Sequence, residues 1–293
     1  MTQPKRHHFV PRWYLENFTD PDHFLHVHDL NTGLWRKQRP NQVMLIGNYY
    51  RQTWAPKGID PSVFEKTLGA VSEPKAQDAF KRLIVAPNNL TDDDMASMLT
   101  YLELQRIRVS KQAKIAKEIF RSVLLQHAPT EVVDAVRKRE VLLTIKDSAR
   151  FDFMKMAIGQ FHPWFARMEW QVIEAAAGSS FITTDNPVSF LNQQFLPPSE
   201  PGIALLGTVV LFPLTSRHLL ILRHPEFLTQ SDVDLVLRIP EPEVEDGVIA
   251  ITRGGIWSER EVSNLNWVMR QLADQLVVAN SQHVIEQCAH RSQ

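Results

Sequence analysis

The segment TDDDMASMLTYLELQRIRVSKQAKIAKEIFRSVLLQH, residues 91–127, decides the fold class. Thr91 followed by three aspartates is a helix start, because Thr is a good N-cap and acids stabilise the positive end of the helix dipole. Apolar residues then recur at helical spacing until Ala128-Pro129 ends the pattern. We therefore predict one long helix over residues 91–127, with its apolar face against a core.

Helices are predicted on both sides of this one. Before it, Asp60-Pro61 is a helix start, and residues 62–85 follow as a helix that is interrupted at Pro74. After it, Thr130-Glu131 opens a short helix, and residues 147–161 supply another. The middle of the chain is therefore helical.

The flanking parts of the chain are rich in strand patterns. Residues 24–28 alternate, which places Phe24, His26 and His28 on one side of a strand, and a turn at residues 29–33 leads into a second strand around Trp35. Later strands are predicted at residues 169–175, 181–184, 209–212, 218–222 and 276–279, the last of which is equally typical of a continuation of the helix at residues 258–275. Strands that are segregated from helices indicate an α+β fold.

Nothing between these parts has the composition of a flexible linker. We therefore expect one compact domain over residues 1–293. Its parts are a β-rich N-terminal segment (1–58), a central helical layer (59–165) and a sheet-rich part (166–293). The last part is expected to hold an antiparallel or mixed sheet with a late helix.

Composition excludes several classes of protein. The 293 residues carry a formal net charge of −1, so the chain as a whole is not polybasic. One cysteine excludes a disulfide framework and multi-cysteine metal sites, and no stretch approaches the roughly 18 apolar residues of a membrane span. We expect a cytoplasmic protein that does not associate with a membrane. Motifs of dinucleotide enzymes, P-loop kinases, zincins and serine hydrolases are missing from the sequence.

Two adjacent histidines near the start of the chain are the first candidate functional residues. His7 and His8 precede Phe9-Val10-Pro11, and neighbouring side chains of an extended segment point to opposite sides. The pair cannot chelate one metal ion together, so at most one of them faces any given site. The alternative is one surface histidine and one packed histidine.

A second candidate is the turn that follows residues 181–184. An apolar strand runs into Asp185-Asn186-Pro187, which places the Asp185 carboxylate at a strand end, where sheets often present catalytic or ligand-binding groups. The alternative is an Asx turn, in which Asp185 or Asn186 caps its own backbone before the proline.

The predicted long helix carries polar residues that its apolar pattern does not explain. Gln105 lies within the apolar stripe and needs hydrogen-bond partners, either a neighbouring strand or turn or an internal polar site beside Arg106. Arg106, Lys114, Lys117 and Arg121 fall together on the adjoining face of a continuous helix. This basic face is either a solvated surface or a stripe that contacts phosphates.

Two acids on the preceding helix complete the set. Glu65 and Glu73 lie on the interrupted helix, and Glu73 immediately precedes the break at Pro74, which can turn a carboxylate inward. As solvated helix residues they would need no explanation.

Together these residues resemble a known family. His7-His8-Phe9-Val10-Pro11 with Tyr14-Leu15 and Phe18 resembles the opening HH-x-V-P-x-x-Y-L-x-x-F of a bacterial family catalogued as domain of unknown function 4238. The family also carries an acidic helix like that of Phe64-Glu65 and Glu73, a Gln-Arg step like Gln105-Arg106, and a T-x-D-N-P-V element like Thr184 to Val188. The resemblance implies that His7 or His8, Glu65 or Glu73, Gln105, Arg106 and Asp185 form one polar cluster. It implies no activity.

Two hypotheses of function follow. In the first, the chain is a hydrolase of phosphodiesters in which Asp185 and one glutamate hold Mg²⁺ or Mn²⁺, and His7 or His8 is a further ligand. His8 is either such a ligand or the general base that activates water, Arg106 with Gln105 orients the phosphate, and Lys114, Lys117 and Arg121 extend contacts along a nucleic acid or another phosphorylated ligand. In the second, the chain is a non-enzymatic module that binds nucleic acid, a nucleotide or a protein, and the cluster is a structural polar network.

Overall fold

A computed structural model describes residues 6–47, 73–145, 149–195, 197, 199–229, 234–240 and 249–289. Its helices are α1 (Arg12–Leu15), α2 (Glu73–Val85), α3 (Asp92–Ile107), α4 (Ser110–Gln126), α5 (Thr130–Arg137), α6 (Ala149–Ala157), α7 (His162–Arg167), α8 (Pro225–Thr229), α9 (Glu259–Leu272) and α10 (Gln282–Gln287). Its strands are β1 (Arg6–His8), β2 (Leu25–Asp29), β3 (Trp35–Gln38), β4 (Leu45–Gly47), β5 (Glu169–Ala175), β6 (Thr183–Thr184), β7 (Ser189–Leu191), β8 (Val209–Pro213), β9 (His218–Arg223), β10 (Ile251–Trp257) and β11 (Leu276–Ala279).

The predicted helix start at Thr91 is confirmed, but the single long helix is wrong. The Thr91 hydroxyl accepts a hydrogen bond from the Asp94 backbone N–H, and the Asp94 carboxylate accepts one from the Thr91 N–H. However, α3 ends at Ile107, and Val109 is extended (φ −76°, ψ 156°) before α4 begins. Val109 is fully buried, so the packing of this β-branched residue outweighs the helical pattern around it.

The strands form three sheets, which confirms the α+β fold. Strands β1 and β4 pair with each other, a four-stranded sheet has the order β3-β2-β11-β6, and a five-stranded sheet has the order β10-β5-β9-β8-β7. The five-stranded sheet is mixed, because β10 runs parallel to β5 while its other pairs are antiparallel. The predicted hairpin is confirmed as β2 and β3, and the segment at residues 276–279 is a strand that pairs with β2.

The five-stranded sheet has a core on each face. Along β9, Leu220 and Leu222 join a core with the N-terminal segment and helices α2 and α3, whereas Leu219 and Ile221 join a second core with α9 and β11. This division follows from the alternation of side chains along a strand. The first core brings the opening segment of the chain against α3, and the second places α9 and β11 beside the turn after β6.

Three predictions about the fold are not settled by these elements. The helix start at Asp60-Pro61 and the helical residues before Glu73 lie outside the described residues. The assignment of one domain to the whole chain stays a prediction. In the part of the chain that the structure covers, no helix combines the length and the apolar character needed to cross a membrane.

Candidate functional site

The opening strand separates the two histidines as predicted from alternation. Strand β1 pairs with β4, with His7 opposite Ile46 and His8 opposite Leu45. The His7 side chain is buried, while the His8 side chain is partly exposed. His8 is therefore the histidine that a solvent-borne ligand can reach.

The imidazole of His8 has an unused nitrogen. Its Nδ1 atom is buried and has no hydrogen-bond partner among the described residues. Burial lowers the pKa of His8 from its usual value, while the negative charge of Glu73 and the nearby backbone of Val10 and Val43 oppose this effect. The imidazole is therefore neutral near pH 7, the form in which a ring nitrogen can bind a metal ion.

Glu73, whose charge acts on His8, is held in position by an arginine. Glu73 is the first residue of α2, and its side chain is 20% exposed. Its Oε1 accepts a hydrogen bond of 2.8 Å from Nη1 of Arg108, whose side chain is 2% exposed. The guanidinium of Arg108 also lies over the Tyr101 ring, 5.8 Å from its centroid. Arg108 thereby fixes the position of the Glu73 carboxylate.

Gln105 connects the histidine segment to the arginine. Its Nε2 donates to the Phe9 carbonyl at 3.2 Å, and its Oε1 accepts from Nε of Arg108 at 2.7 Å and from Arg108 Nη2. The buried amide thus bonds a strand-end backbone group, which is the first alternative stated for it, and its oxygen bonds Arg108 rather than a site beside Arg106. We call His8, Glu73, Gln105 and Arg108 the His8–Glu73 site.

Arg106 points away from this site. Its Nη1 donates to the Val188 carbonyl at 3.2 Å and to Asn186 Oδ1 at 3.5 Å, and its Nη2 bonds the Glu200 carboxylate. The guanidinium also stacks over Phe190. Consecutive helical residues diverge by about 100°, so Gln105 and Arg106 serve different clusters.

Glu200 is the centre of the second cluster. Besides Arg106, its carboxylate meets Lys111 Nζ at 2.8 Å, Gln112 Nε2 at 3.0 Å and Asn186 Nδ2 at 3.3 Å. Burial favours a raised pKa for Glu200, but Arg106 and Lys111 outweigh it and lower the pKa to about 2. Glu200 is therefore ionised. We call Arg106, Lys111, Gln112, Asn186 and Glu200 the Glu200 network.

Asp185 lies beside the Glu200 network and binds backbone. Its carboxylate accepts hydrogen bonds from the N–H groups of Asp274 (2.9 Å), Gln275 (2.8 Å) and Leu276 (3.0 Å), which link the end of α9 to β11. Its side chain is 3% exposed, and burial raises its pKa to about 6 against the effect of the three donors. This geometry favours the alternative in which Asp185 caps backbone groups. The backbone that it caps is that of residues 274–276, however, and not its own. The predicted metal-binding and catalytic roles of Asp185 stay predictions.

The predicted basic face does not form as expected. Because the helix breaks at Val109, buried Arg106 does not share a face with Lys114, Lys117 and Arg121 on α4. Lys114 is exposed and meets both carboxylate oxygens of Asp274 at 2.7 Å. Arg121 is partly exposed, with Glu118 at 3.9 Å.

The predicted residues therefore divide into two clusters rather than one. His8, Glu73 and Gln105 share one, and Arg106 belongs to the other with Asp185 beside it. Within the ranges that the structure describes, no group of three or more His, Cys, Asp or Glu side chains could hold a metal ion. Glu65 lies outside those ranges. The expected Mg²⁺ or Mn²⁺ site stays a prediction, to which His8 and Glu73 bring two suitable donors.

Sequence reasoning missed three charged residues of these clusters. Arg108 follows Gln105 by three positions, a spacing that places side chains on one helical face and could have identified it. Lys111 and Glu200 carry no comparable local signal, because their partners are distant in the chain.

One comparison with known proteins gives a match. A family described as Protein of unknown function (DUF4238) matches residues 6–283, which confirms the resemblance drawn from the opening and the Asp-Asn-Pro turn. No curated protein and no solved structure matches the chain.

Proposed function

We propose that this chain, which belongs to the family Protein of unknown function (DUF4238), is a metal-dependent hydrolase of phosphodiesters whose reacting groups are His8 and Glu73. One observation carries the proposal. The partly exposed imidazole of His8 has a buried nitrogen without a hydrogen-bond partner in the described structure, and the charge of the Glu73 carboxylate, which Arg108 holds in place, acts on this imidazole. Buried polar groups without partners are uncommon in folded proteins.

The chemistry assigned to each residue follows from its environment. The neutral form of the His8 imidazole is the one in which a ring nitrogen can bind a cation. A ring nitrogen and the Glu73 carboxylate are donors that Mn²⁺ accepts, and Mg²⁺ prefers the carboxylate. Such a cation would supply charge stabilisation at the phosphate and a more acidic bound water. Glu65 is the carboxylate that we expect to complete the donor set.

Arg108 and Gln105 are positioning residues in this proposal. Arg108 donates to Glu73 and to Gln105, and Gln105 in turn donates to the Phe9 carbonyl, one residue after His8. The two reacting groups come from segments 65 positions apart in the chain, so their alignment depends on these buried bonds. Both groups are therefore preorganised before a substrate arrives.

The second candidate is a non-enzymatic module that binds nucleic acid, a nucleotide or a protein. The observation that favours it is the Glu200 network, in which the predicted functional residue Arg106 is buried and paired with Glu200. A paired, water-excluded cluster is typical of a structural role. Activity at His8 distinguishes the two candidates.

Replacing His8 tests the proposed activity. With Mn²⁺ present and bis(4-nitrophenyl) phosphate as substrate, we expect His8→Ala to lower kcat by about 100-fold or more, because a ligand of the cation is lost. Without Mn²⁺, the melting temperature should stay close to that of the unmodified protein, since the imidazole that is removed is partly exposed.

The matched control is His283→Ala, which removes an exposed histidine of α10 and should leave kcat unchanged.

In the unmodified protein, the rate of hydrolysis should rise with pH through a pKa below the usual histidine value. Glu73→Gln removes a proposed ligand of the cation as well as the charge that raises the His8 pKa, so it should lower kcat and move the remaining rise to lower pH. Absence of hydrolysis by the unmodified protein, or equal rates for His8→Ala and His283→Ala, would refute the proposal.

A further inference from the structure

A groove between α4 and α5 shares no lining residue with the His8–Glu73 site or the Glu200 network. Its volume is about 600 Å³, and its walls come from the second half of α4 and from α5 with the turn after it. Three arginines line it, Arg121, Arg137 and Arg139, together with aliphatic side chains such as Leu125, Val133 and Val136. We call it the α4–α5 groove.

The groove is positively charged. No carboxylate belongs to its lining among the described residues. The nearest acidic partners are Glu118, 3.9 Å from Arg121, and Asp134, 3.9 Å from Arg137, both at the limit of an ion pair and both well exposed. Such contacts neutralise little charge in water. Three guanidinium groups therefore share a concave surface with little compensation.

Arg121 has an unused donor. Its Nε atom is buried, and no hydrogen-bond partner for it lies in the described part of the chain. A buried N–H donor without an acceptor is costly, and an anionic oxygen in the groove would satisfy it. Arg121 is the least exposed of the three arginines, because it is only partly exposed whereas Arg137 and Arg139 are exposed.

Arg139 occupies a backbone position that usually holds glycine. Its φ is 61°, in the left-handed region, and it ends α5 where the Glu140 N–H bonds the Ala135 carbonyl. An arginine at this position brings a third guanidinium to the groove at some cost in backbone energy. The lining has no aromatic ring among the residues described, so it offers no surface on which a base could stack.

We propose that the α4–α5 groove binds the phosphate backbone of a nucleic acid. Guanidinium groups bind phosphates through paired hydrogen bonds, and a surface without aromatic rings recognises the backbone rather than the bases. Helix α4 connects the groove to the neighbourhood of Arg108 in the His8–Glu73 site. The helix begins at Ser110, two residues after Arg108, and Arg121 lies 11 residues after Ser110, which is about 16 Å along the helix axis at 1.5 Å per residue. The inference that nucleic acid is the substrate class of the His8–Glu73 site rests on the proposed function. The inference that the groove binds nucleic acid does not rest on it.

The test measures binding without a divalent cation, by fluorescence anisotropy of labelled single-stranded and duplex DNA of about 20 nucleotides. If three phosphates are contacted, the logarithm of the association constant should fall with the logarithm of salt with a slope of about −2.7 for duplex or about −2.1 for a single strand. The triple variant Arg121→Gln/Arg137→Gln/Arg139→Gln should bind at least about tenfold more weakly and lose most of this slope.

The matched control removes the same charge elsewhere. Lys75, Lys81 and Arg260 are exposed, and their triple replacement by glutamine should change the affinity less than about twofold. Replacing Arg139 can alter the fold locally because its backbone conformation is unusual, so the single variant Arg137→Glu provides a second test. The Arg137 side chain is 78% exposed, and the Arg137→Glu protein should also bind DNA more weakly than the unmodified protein.

Several outcomes would overturn the inference. They are absence of DNA binding by the unmodified protein, equal losses in the two triple variants, or unchanged affinity in Arg137→Glu. The assay contains no divalent cation and needs no hydrolysis, so loss of binding in the groove and loss of the proposed function are observed separately.

Discussion

Glu200→Ala is expected to lower the free energy of unfolding by about 3–5 kcal/mol, because it leaves two buried cations without their carboxylate. Arg106 and Lys111 both pair with Glu200, whose side chain is 7% exposed, and Gln112 loses its acceptor as well. Lys111 keeps the Leu272 carbonyl as an acceptor, at 2.8 Å from its Nζ. Urea unfolding at pH 7 measures the change.

The control for this prediction is an exposed pair. Glu118→Ala removes a carboxylate that lies 3.9 Å from Arg121 on the surface of α4, and it should cost well under 1 kcal/mol. Equal costs for the two variants would show that the Glu200 network contributes no more than a surface ion pair.

The acid dependence is a second readout of the same carboxylate. The pKa of Glu200 is lowered from 4.5 to about 2 in the folded protein, so its stabilisation is present above pH 4.5 and is lost as the pH falls towards 2. The difference corresponds to about 3 kcal/mol. In Glu200→Gln, the free energy of unfolding should therefore fall less steeply over this window.

The second large effect is expected for Asp185→Ala, which should lower the free energy of unfolding by about 3 kcal/mol. Three backbone N–H groups at residues 274–276, all in part-buried hydrogen bonds, lose their acceptor. An unsatisfied donor costs about 1–3 kcal/mol. The low end applies here because the variant also removes a carboxylate whose burial is unfavourable, as its raised pKa indicates.

Asp22→Ala is the matched control, since Asp22 is an exposed aspartate and its loss should cost about 0.5 kcal/mol or less. Unfolding in urea and hydrolysis should be measured on the same preparations. A stable Asp185→Ala protein that has lost hydrolysis would contradict the structural role and return Asp185 to the reacting groups.

The features that sequence predicted well depend on neighbours in the chain. The alternation at residues 24–28 and the turn after it form the β2–β3 hairpin, and Thr91 with Asp94 forms the helix cap. Alternation also separated His7 from His8. In each case the energy that decides the structure is local, so the pattern is sufficient.

The features that sequence missed depend on distant partners. The break at Val109 follows from its burial in the core, and nothing in the residues around it is a helix breaker. The pairing of Arg106 with Glu200 joins positions 94 apart. Gln105 could be predicted to be buried with polar partners, but neither its link to Phe9 nor the divergence of Arg106 from it could be read from spacing.

The most direct test of the account is whether His8 and Glu73 bind one divalent cation together. Thermal unfolding with and without Mn²⁺ measures this, because a ligand at 100 times its dissociation constant stabilises the folded state by about 2.7 kcal/mol. The account predicts a rise in melting temperature for the unmodified protein and for Asp185→Asn, and no rise for His8→Ala or Glu73→Gln. An equal rise in all four proteins, or no rise in the unmodified protein, would contradict it.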